Sequence, residues 1–393
     1  MLIWPVIASA QPQRLTLSEA LARAREQAPR IASARLTVDE ARGRLLGAAL
    51  RFQNNPELNL GIGRRAGSGE TSTDLDAGIQ QLFEPRGRRA ARIAAATEGV
   101  AQGTAAVEET TRLVLRETAS AFLRALHARE RAKLLEAAEG LAAQVYAAAD
   151  RRFKAGDIAV LDVNLARALL ARTRAEKQSA AAAESTAIGE MKQLLGIEGD
   201  VAPDGRLAAR EEADSTALLQ AANQRPELRQ LEAAVREAEA ESRVAGTFRK
   251  PELGVAARYQ REEGDNILFG GVTIGLPTFA RGQELAAVSS ARASRLRTEL
   301  AAARTRVRIE VQAAFAALQQ RAAAVRALET DALPGLDENE RLTTRSFEVG
   351  QLGLTELLLI RREILETRFQ YLDTLLEAAL AQIDLHASAA VLR

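Results

Sequence analysis

The residue types that usually carry chemistry are few in this sequence, and they are not grouped. Among 393 residues there is no cysteine, and the only histidines are His127 and His386. Neither stands in a recognised spacing with a second metal ligand or a catalytic acid, and no glycine-rich phosphate loop is present. Without cysteine, disulfides and thiolate metal sites are ruled out. The sequence therefore predicts no enzyme, no catalytic residue, no bound cofactor and no resident metal site.

Charge and composition narrow the class of protein further. Lys plus Arg number 53 and Asp plus Glu number 52, a balance that does not favour a nucleic-acid partner. Apolar residues make up 47%, many of them alanine, and aromatic residues only 4%. Such a composition favours thin, close-packed helix seams over a thick globular core. No apolar run reaches about 18 residues, so no transmembrane helix is predicted.

Two glycines interrupt long helical patterns in the same way. The stretches FKAGDIAVLDVNLAR, from Phe153, and FEVGQLGLTELLLIR, from Phe347, each place a glycine three residues after the phenylalanine. These glycines, Gly156 and Gly350, are 194 residues apart (350 − 156). Four further pairs of landmarks are 193 to 197 residues apart: Pro29 and Pro226, Pro56 and Pro251, Gly87 and Gly282, Phe122 and Phe315. The nearly constant separation indicates an internal duplication.

The duplication sets the predicted domain organisation. The first repeat covers residues 11–195 and the second covers 216–393, joined by a linker at 196–215 that is rich in Gly, Pro and charge. Each repeat is predicted to contain a helix, two strands, a long helix, a turn and a further helix. The strands are expected at about 57–65, 73–83, 252–261 and 266–277, and the helical turns at about 153–162 and 347–356. Thr16 and Glu19 fit a capping box before the first helix.

The long helix of the first repeat is predicted over residues 86–152. This stretch has no proline, and a column of apolar residues recurs at every seventh position from Ile93. That spacing is typical of coiled coils, and about 67 residues at 1.5 Å each give a helix on the order of 100 Å long. In the second repeat Pro334 and Gly335 interrupt the corresponding pattern, opposite Gly140. We expect a kink there.

The predicted strands alternate between apolar residues and polar residues or glycine, so each hairpin has one apolar face. Four strands are too few to close a barrel, whereas a trimer would supply twelve, each long enough to cross the apolar band of an outer membrane, about 25 Å thick. The predicted fold class is mainly α with a small β part. It forms a trimeric outer-membrane β-barrel, with four strands from each chain, continuous with a long periplasmic α-helical barrel. The predicted lipid-facing positions are Leu58, Leu60, Ile62, Leu75, Ile79, Val255, Val272 and Ile274.

Aromatic residues stand near the helix-side ends of the predicted strands. They are Phe52, Phe83, Phe248 and Phe279. Such residues fit an aromatic girdle at a membrane interface. Ordinary packing at the strand–helix junctions explains each of them equally well, and both interpretations stay open.

The sequence resembles the TolC-type outer-membrane efflux factors from about Leu15 to its end. The resemblance is carried by the duplicated plan, the FxxG turns, and the PRGRR and ARGQE segments after the hairpins. QLFEPRGRRAARIAAA and VTIGLPTFARGQE are most similar to the cobalt–zinc–cadmium (CzcC-like) branch. The resemblance implies a homotrimeric exit duct that passively conducts substrates, heavy-metal cations in particular, from a periplasmic adaptor protein and an inner-membrane resistance–nodulation–division (RND) pump. Many members carry a lipidated N-terminal cysteine; this chain has none, so no triacyl anchor is expected.

In this family the two helical turns of each subunit form the periplasmic tip, which meets the adaptor. The resemblance implies tip positions at Gly156, Asp157, Ile158, Gly350, Gln351 and Leu352. We expect adaptor contact to dominate at Ile158 and Leu352, and local packing to dominate at Leu161.

The resemblance also places a channel constriction near the tip, at Asp162, Glu356 and Leu359. Glu356 stands where the family can carry an acidic ring, and Asp162 holds the corresponding place in the first repeat. Leu352 replaces a basic partner of the best-known member, and Leu359 replaces a second acidic ring. We therefore expect a hydrophobic constriction in place of a polar closing network. For both acids, a solvated helix face remains an open alternative.

The N-terminal residues 1–10 are predicted to be a signal peptide, cleaved after Ala10, whose missing basic region indicates a truncated start. The expected location is the cell outer membrane, with a periplasmic helical extension and outer-membrane lipid around the strands. The alternative is a soluble periplasmic coiled-coil scaffold or adaptor without a barrel. A scaffold has no need of strands with membrane-spanning length, and an adaptor would be expected to carry a lipoyl-like domain.

Overall fold

The computed structural model describes residues 13–66, 71–209, 214–262 and 264–392. The predicted signal peptide and residues 210–213 of the predicted linker lie outside these ranges. None of the helices in the described ranges combines the length and the hydropathy needed to cross a bilayer.

The helices and strands follow the same order in the two repeats. In the first repeat they are β1 (Gln13–Leu15), α1 (Leu17–Gln27), α2 (Pro29–Ala49), β2 (Glu57–Ala66), β3 (Thr71–Phe83), α3 (Arg88–Lys154) and α4 (Val160–Leu195). Then follow β4 (Val201–Pro203), α5 (Ser215–Ala222), α6 (Pro226–Thr247), β5 (Glu252–Glu262), β6 (Asp265–Gly275), α7 (Gln283–Ala327), α8 (Leu336–Glu348) and α9 (Leu354–Ser388). The chain is mainly α-helical with a small β part, as predicted. β6 ends two residues earlier than expected, before Pro277, which has no N–H to donate to a strand ladder.

The chain divides into two compact units, and each unit draws on both repeats. The sheet unit consists of Ala34–Glu108 and Pro226–Arg304. The hairpin unit consists, among the described residues, of 13–33, 109–209, 214–225 and 305–392.

In the sheet unit, the four long strands form one antiparallel sheet in the order β2-β3-β5-β6. The central pair, β3 and β5, joins the two repeats, and Ile79 lies opposite Ala257 there. Each of the outer strands, β2 and β6, has a described neighbour on one side only. The sheet therefore has two open edges within the described part of the chain.

The helices of the sheet unit pack through small side chains, as the alanine-rich composition predicts. Ala234, Ala238 and Ala293 are buried together with Val235 and Leu296 between α6 and α7. Close helix approach of this kind leaves charged residues at the margins of the seam. There, Arg292 of α7 makes ion pairs with two glutamates of α6, at 3.3 and 3.0 Å.

The hairpin unit has its largest core where α1, α3, α4 and α9 meet. Ile31, Phe122 and Met191 are among its fully buried side chains. The predicted seven-residue column of α3 contributes Val114 and Ala121 to this core, and it is buried further along the helix at Leu135, Ala142 and Ala149. The predicted capping box is confirmed, because Thr16 accepts from the Glu19 backbone N–H and Glu19 accepts from the Thr16 N–H.

The long helix of the second repeat is interrupted near the predicted proline. A π-helical segment covers Leu328–Ala332, and a 3₁₀ turn covers Leu333–Gly335, before α8 begins. Proline lacks an N–H, and its ring clashes with the carbonyl four residues earlier, which here belongs to Thr330. The irregular segment consequently begins before Pro334. At the corresponding Gly140, by contrast, α3 continues without a break.

Candidate functional site

The two predicted helical turns have the same backbone geometry. Gly156 and Gly350 have φ values of +85° and +80°, a left-handed conformation that glycine adopts without a Cβ clash. The Gly156 N–H donates to the Phe153 carbonyl (2.9 Å), and the next N–H reaches back to the Arg152 carbonyl (2.9 Å). Gly350 repeats both bonds at 3.1 and 2.9 Å. Each turn is therefore a Schellman motif that satisfies the last carbonyls of the preceding helix.

The two turns pack against each other within the hairpin unit. Phe347, Leu354 and Leu357 are buried in one cluster with residues of α3 and α4. Arg152, at the end of α3, donates to the Phe347 carbonyl at 3.4 Å and lies 5.4 Å from the centre of its ring. The predicted tip residues are thus brought together, and Gly156, Asp157, Gly350 and Gln351 remain exposed around them.

Local packing within one chain differs from the packing that we expected at these positions. Ile158 and Leu352 are half-buried and pack against this cluster. Leu161, which we expected to pack, is 64% exposed. The reason is helical geometry: the buried positions of α4 begin with Val163 and Ala166, and a residue two places before Val163 points away from that face.

The three predicted constriction residues lie near the starts of α4 and α9. Asp162 is half-buried, whereas Glu356 and Leu359 are exposed. Both acids belong to the first turn of their helices, where a negative charge is favoured by the helix dipole. Among the described residues, neither carboxylate has a basic partner at ion-pair distance. Because they are exposed, Glu356 and Leu359 can contact a neighbouring molecule or line an aqueous channel.

Sequence reasoning missed a set of polar contacts that α9 makes with α3 and with the interrupted helix. Arg361 donates to the Leu141 carbonyl (3.2 Å) and to the Thr344 hydroxyl (2.9 Å), and burial lowers the pKa of its guanidinium. Arg368 makes ion pairs with Asp337 (2.7 Å) and Glu340 (2.8 Å). The available signal was the spacing of polar residues on α9, where seven positions separate the two arginines.

Arg361, Arg368 and Tyr371 form one polar stripe along α9, and Tyr371 contacts the π-helical segment. The Tyr371 hydroxyl donates to Glu329 at 2.8 Å. Burial and this hydrogen bond to a carboxylate raise the pKa of Tyr371 to about 12, because both disfavour the phenolate.

A groove in the hairpin unit lies apart from the predicted tip and constriction residues. It has a volume of about 710 Å³ and is lined by residues of α3, α4, α8 and α9, including His127, Arg131 and Phe369. His127 and Asp373 approach to 2.7 Å, and Arg131 lies 4.2 Å from the Phe369 ring centre. No cluster of three or more His, Cys, Asp and Glu residues in the described ranges is arranged to hold a metal ion.

In the sheet unit, the structure places all eight predicted lipid-facing residues on one face of the sheet. The strand register pairs Leu58 with Ile79 and Ile62 with Leu75, and it pairs Val255 with Val272. All eight side chains are between 43% and 77% exposed. The opposite face is polar, with Gln260 and Arg258 both contacting Asp76, at 2.9 and 3.4 Å. A continuous exposed apolar face is typical of a surface that contacts a membrane or another protein.

Comparison with known proteins defines the class. The model of the family described as "Outer membrane efflux protein" matches residues 20–197. Two solved structures superpose on nearly the whole chain: CusC, with a TM-score of 0.79, 19% identity and coverage of 95% of this chain and 91% of that one, and the Campylobacter jejuni CmeC outer membrane channel, with a TM-score of 0.78, 16% identity and coverage of 95% and 85%. The chain therefore has the fold of these two structures.

A curated relative adds a more specific similarity. The cobalt-zinc-cadmium resistance protein CzcC of Cupriavidus metallidurans is 29% identical over 374 residues, which cover 92% of this chain and 86% of CzcC. Together, the family match over residues 20–197 and the similarity to CzcC over 92% of the chain support an outer-membrane efflux channel with a periplasmic helical part. An outer-membrane efflux channel is not the soluble scaffold or adaptor that the sequence left as the alternative.

Proposed function

We propose that three copies of the chain form one channel, which serves as the exit duct of a tripartite efflux system. The observation that carries this proposal is the four-stranded sheet with one exposed apolar face and two open edges. An open edge carries unpaired N–H and C=O groups, which have no partner in a bilayer. Pairing β6 of one copy with β2 of the next satisfies both edges, and three copies close a barrel.

The tip residues then contact a periplasmic adaptor protein, which connects the channel to an inner-membrane RND pump. Asp157 and Gln351 are exposed at the two turns and are positioned for this contact, and the exposed Leu161 adds an apolar group. Ile158 and Leu352 contribute by holding the two turns together.

In the trimer, the constriction is formed by three copies of Asp162, Glu356 and Leu359. Three carboxylates at one level attract cations, and their mutual repulsion opposes tightening of the ring. The exposed Leu359 supplies an apolar ring that gates by excluding water.

Heavy-metal cations are the proposed cargo. The similarity to CzcC supports this assignment. Because conduction requires weak binding, a metal exit duct needs acidic rings and no high-affinity site. Metal ions therefore enter this account as substrates that pass through the channel.

Cargo is tested by expressing the chain together with its adaptor and pump in a host without an outer-membrane efflux channel. We expect growth at cobalt, zinc or cadmium concentrations that stop the host carrying the adaptor and pump alone. Protection limited to organic compounds would contradict the metal assignment. If the inserted channel gave no protection against any compound, the proposed exit duct would be wrong.

A further inference from the structure

The ends of the strands nearest the helices have a composition found nowhere else in the chain. Four segments make up this end, here called the junction: 50–56, 83–89, 248–251 and 276–282. They contain four of the ten phenylalanines and four of the ten prolines, so that each segment has one of each. They also contain seven basic residues and one acidic residue, although the whole chain carries a net charge of only +1.

Contacts within the sheet unit bring the four segments together. Phe52 and Phe83 meet edge to face with ring centres 5.8 Å apart. The Lys250 ammonium donates to the Arg86 carbonyl at 3.0 Å, which joins the segment before α3 to the segment before β5. Gly282 completes the set, because its backbone lies so close to α6 that a Cβ would stand 2.6 Å from the Ala245 carbonyl oxygen. The junction is a built surface at one end of the sheet.

Most of the positive charge of the junction is left without a carboxylate. Arg88 is the exception, since it pairs with Glu252 and stacks over Phe248 with 4.1 Å to the ring centre. Arg86 and Arg249 are exposed, and their guanidinium groups have no hydrogen-bond or ion-pair partner in the described part of the chain. The Arg51 guanidinium lies 5.6 Å from the centre of the Phe52 ring.

The opposite end of the same sheet provides an internal comparison. Its described residues, 64–66, 71–76, 258–262 and 264–266, contain four basic and four acidic residues. Here the charges pair: Arg65 reaches Asp74 at 3.1 Å and Glu262 at 3.3 Å, and Arg258 reaches Asp76 at 3.4 Å. The excess of positive charge is therefore specific to the helix side of the sheet.

We propose that the junction binds the headgroups of anionic phospholipids in the periplasmic leaflet of the outer membrane. This inference rests on the barrel placement proposed above, which puts the apolar sheet face in the bilayer and the junction at its periplasmic boundary. Exposed phenylalanines, such as Phe279 at 87%, insert among acyl chains at that depth, while the arginines beside them reach phosphate oxygens. Charge complementarity selects phosphatidylglycerol or cardiolipin over zwitterionic lipid.

The test measures phospholipid retained by the purified full-length protein in mixed micelles that contain phosphatidylglycerol or phosphatidylcholine. We expect preferential retention of phosphatidylglycerol, and a decrease of this preference at high ionic strength. In the combined variant Arg51→Gln, Arg86→Gln and Arg249→Gln, the preference should fall by about tenfold or more, because each basic residue near a surface changes partitioning by about fivefold.

Two further variants keep the test specific. A control that removes three exposed arginines elsewhere, Arg151→Gln, Arg243→Gln and Arg308→Gln, should retain the preference. Replacing the junction arginines by lysine should also retain it, which separates charge from folding.

Equal loss in the junction and control variants, or equal retention of both lipids by the unmodified protein, would overturn the inference while the barrel stands. A protein that leaves the membrane fraction without detergent would overturn the barrel placement as well. If the unmodified protein showed no lipid preference but bound the adaptor, and if the junction variant lost that binding, the surface would be assigned to protein contact.

Discussion

The helices that follow the two turns, α4 and α9, carry the same polar stripe and use it differently. Three positions correspond at a separation of 194 residues: Arg167 with Arg361, Arg174 with Arg368, and Lys177 with Tyr371. On α4, Arg174 and Lys177 both pair with Glu139 on the continuous helix α3, each at 3.1 Å, and these bonds lower the pKa of Glu139. On α9, the stripe instead reaches the segment around the interruption.

The difference teaches how one duplicated pattern can support two local structures. The α4 stripe makes ion pairs with a carboxylate on the surface of a continuous helix. The interrupted helix loses regular hydrogen bonds near Pro334. The α9 stripe contacts side chains within its π-helical segment, at Glu329, and after the interruption, at Asp337, Glu340 and Thr344. Tyr371 in place of Lys177 is part of this change, since a phenol donates to Glu329 without adding charge.

The largest difference between the repeats is expected at the phenylalanines of the two turns. Phe347 is 2% exposed within the cluster, whereas the corresponding Phe153 is 41% exposed. Phe347→Ala should lower the free energy of unfolding by about 3–5 kcal/mol, since it leaves a cavity. Phe153→Ala, the matched control, should cost less than about 1 kcal/mol. Denaturant titration of the detergent-extracted protein measures both, and equal costs would show that the two turns are equivalent.

A proline introduced at residue 140 of α3, opposite Pro334, tests whether the first repeat can tolerate the same interruption. Gly140→Pro should lower the free energy of unfolding by about 3 kcal/mol or more. Of the α9 stripe, among the described residues, Arg361 alone hydrogen-bonds to this part of α3, so α9 would compensate little for the lost helical bond. Gly140→Ala should stabilise by about 0.5–1 kcal/mol, since the position is exposed and open space surrounds an added Cβ. Thermal unfolding of the two variants compares them directly. If proline at residue 140 were tolerated, the contacts of the α9 stripe would not be needed to stabilise the interruption near Pro334.

A smaller effect is expected at high pH from Tyr371. Its pKa of about 12 in the folded protein exceeds the ordinary value near 10. The associated stability is therefore complete below about pH 10 and is lost as pH rises towards 12. Since the side chain is only partly buried, solvent screening reduces the effect to about 1 kcal/mol. Tyr371→Phe should remove this step from the alkaline stability profile, and an unchanged profile would contradict the role of the Glu329 hydrogen bond.

The sequence predicts the local elements of this fold well because each depends on nearby residues. The capping box at Thr16, the turns at Gly156 and Gly350, and the strand alternation from Leu58 all follow from spacing along the chain. The constant separation between the repeats then predicts the second half from the first. The break near Pro334 is predicted by the same local rule, since proline removes a helical hydrogen bond.

Contacts that depend on the orientation of one helix against another were predicted less well. Leu161 and Ile158 differ by three residues, and which of them faces the core is decided by the residue at which α4 begins. The partners of Arg361 come from α3 and α8, which are remote in sequence, so the spacing along α9 indicates the polar positions without identifying their partners. The junction was visible only as four phenylalanines, because its charge excess appears once the four segments are brought to one end of the sheet.

The central claim is that three chains share one barrel with the apolar sheet face in the membrane. Leu60 and its neighbour Asn59 test it as a matched pair, because adjacent strand residues point to opposite faces. An arginine on the lipid face costs about 2–4 kcal/mol near the bilayer centre, and one on the inner face costs little. We predict that the unmodified protein and Asn59→Arg are extracted from the outer membrane as trimers, and that Leu60→Arg fails to insert. A soluble monomer that is indifferent to arginine at position 60 would contradict the account.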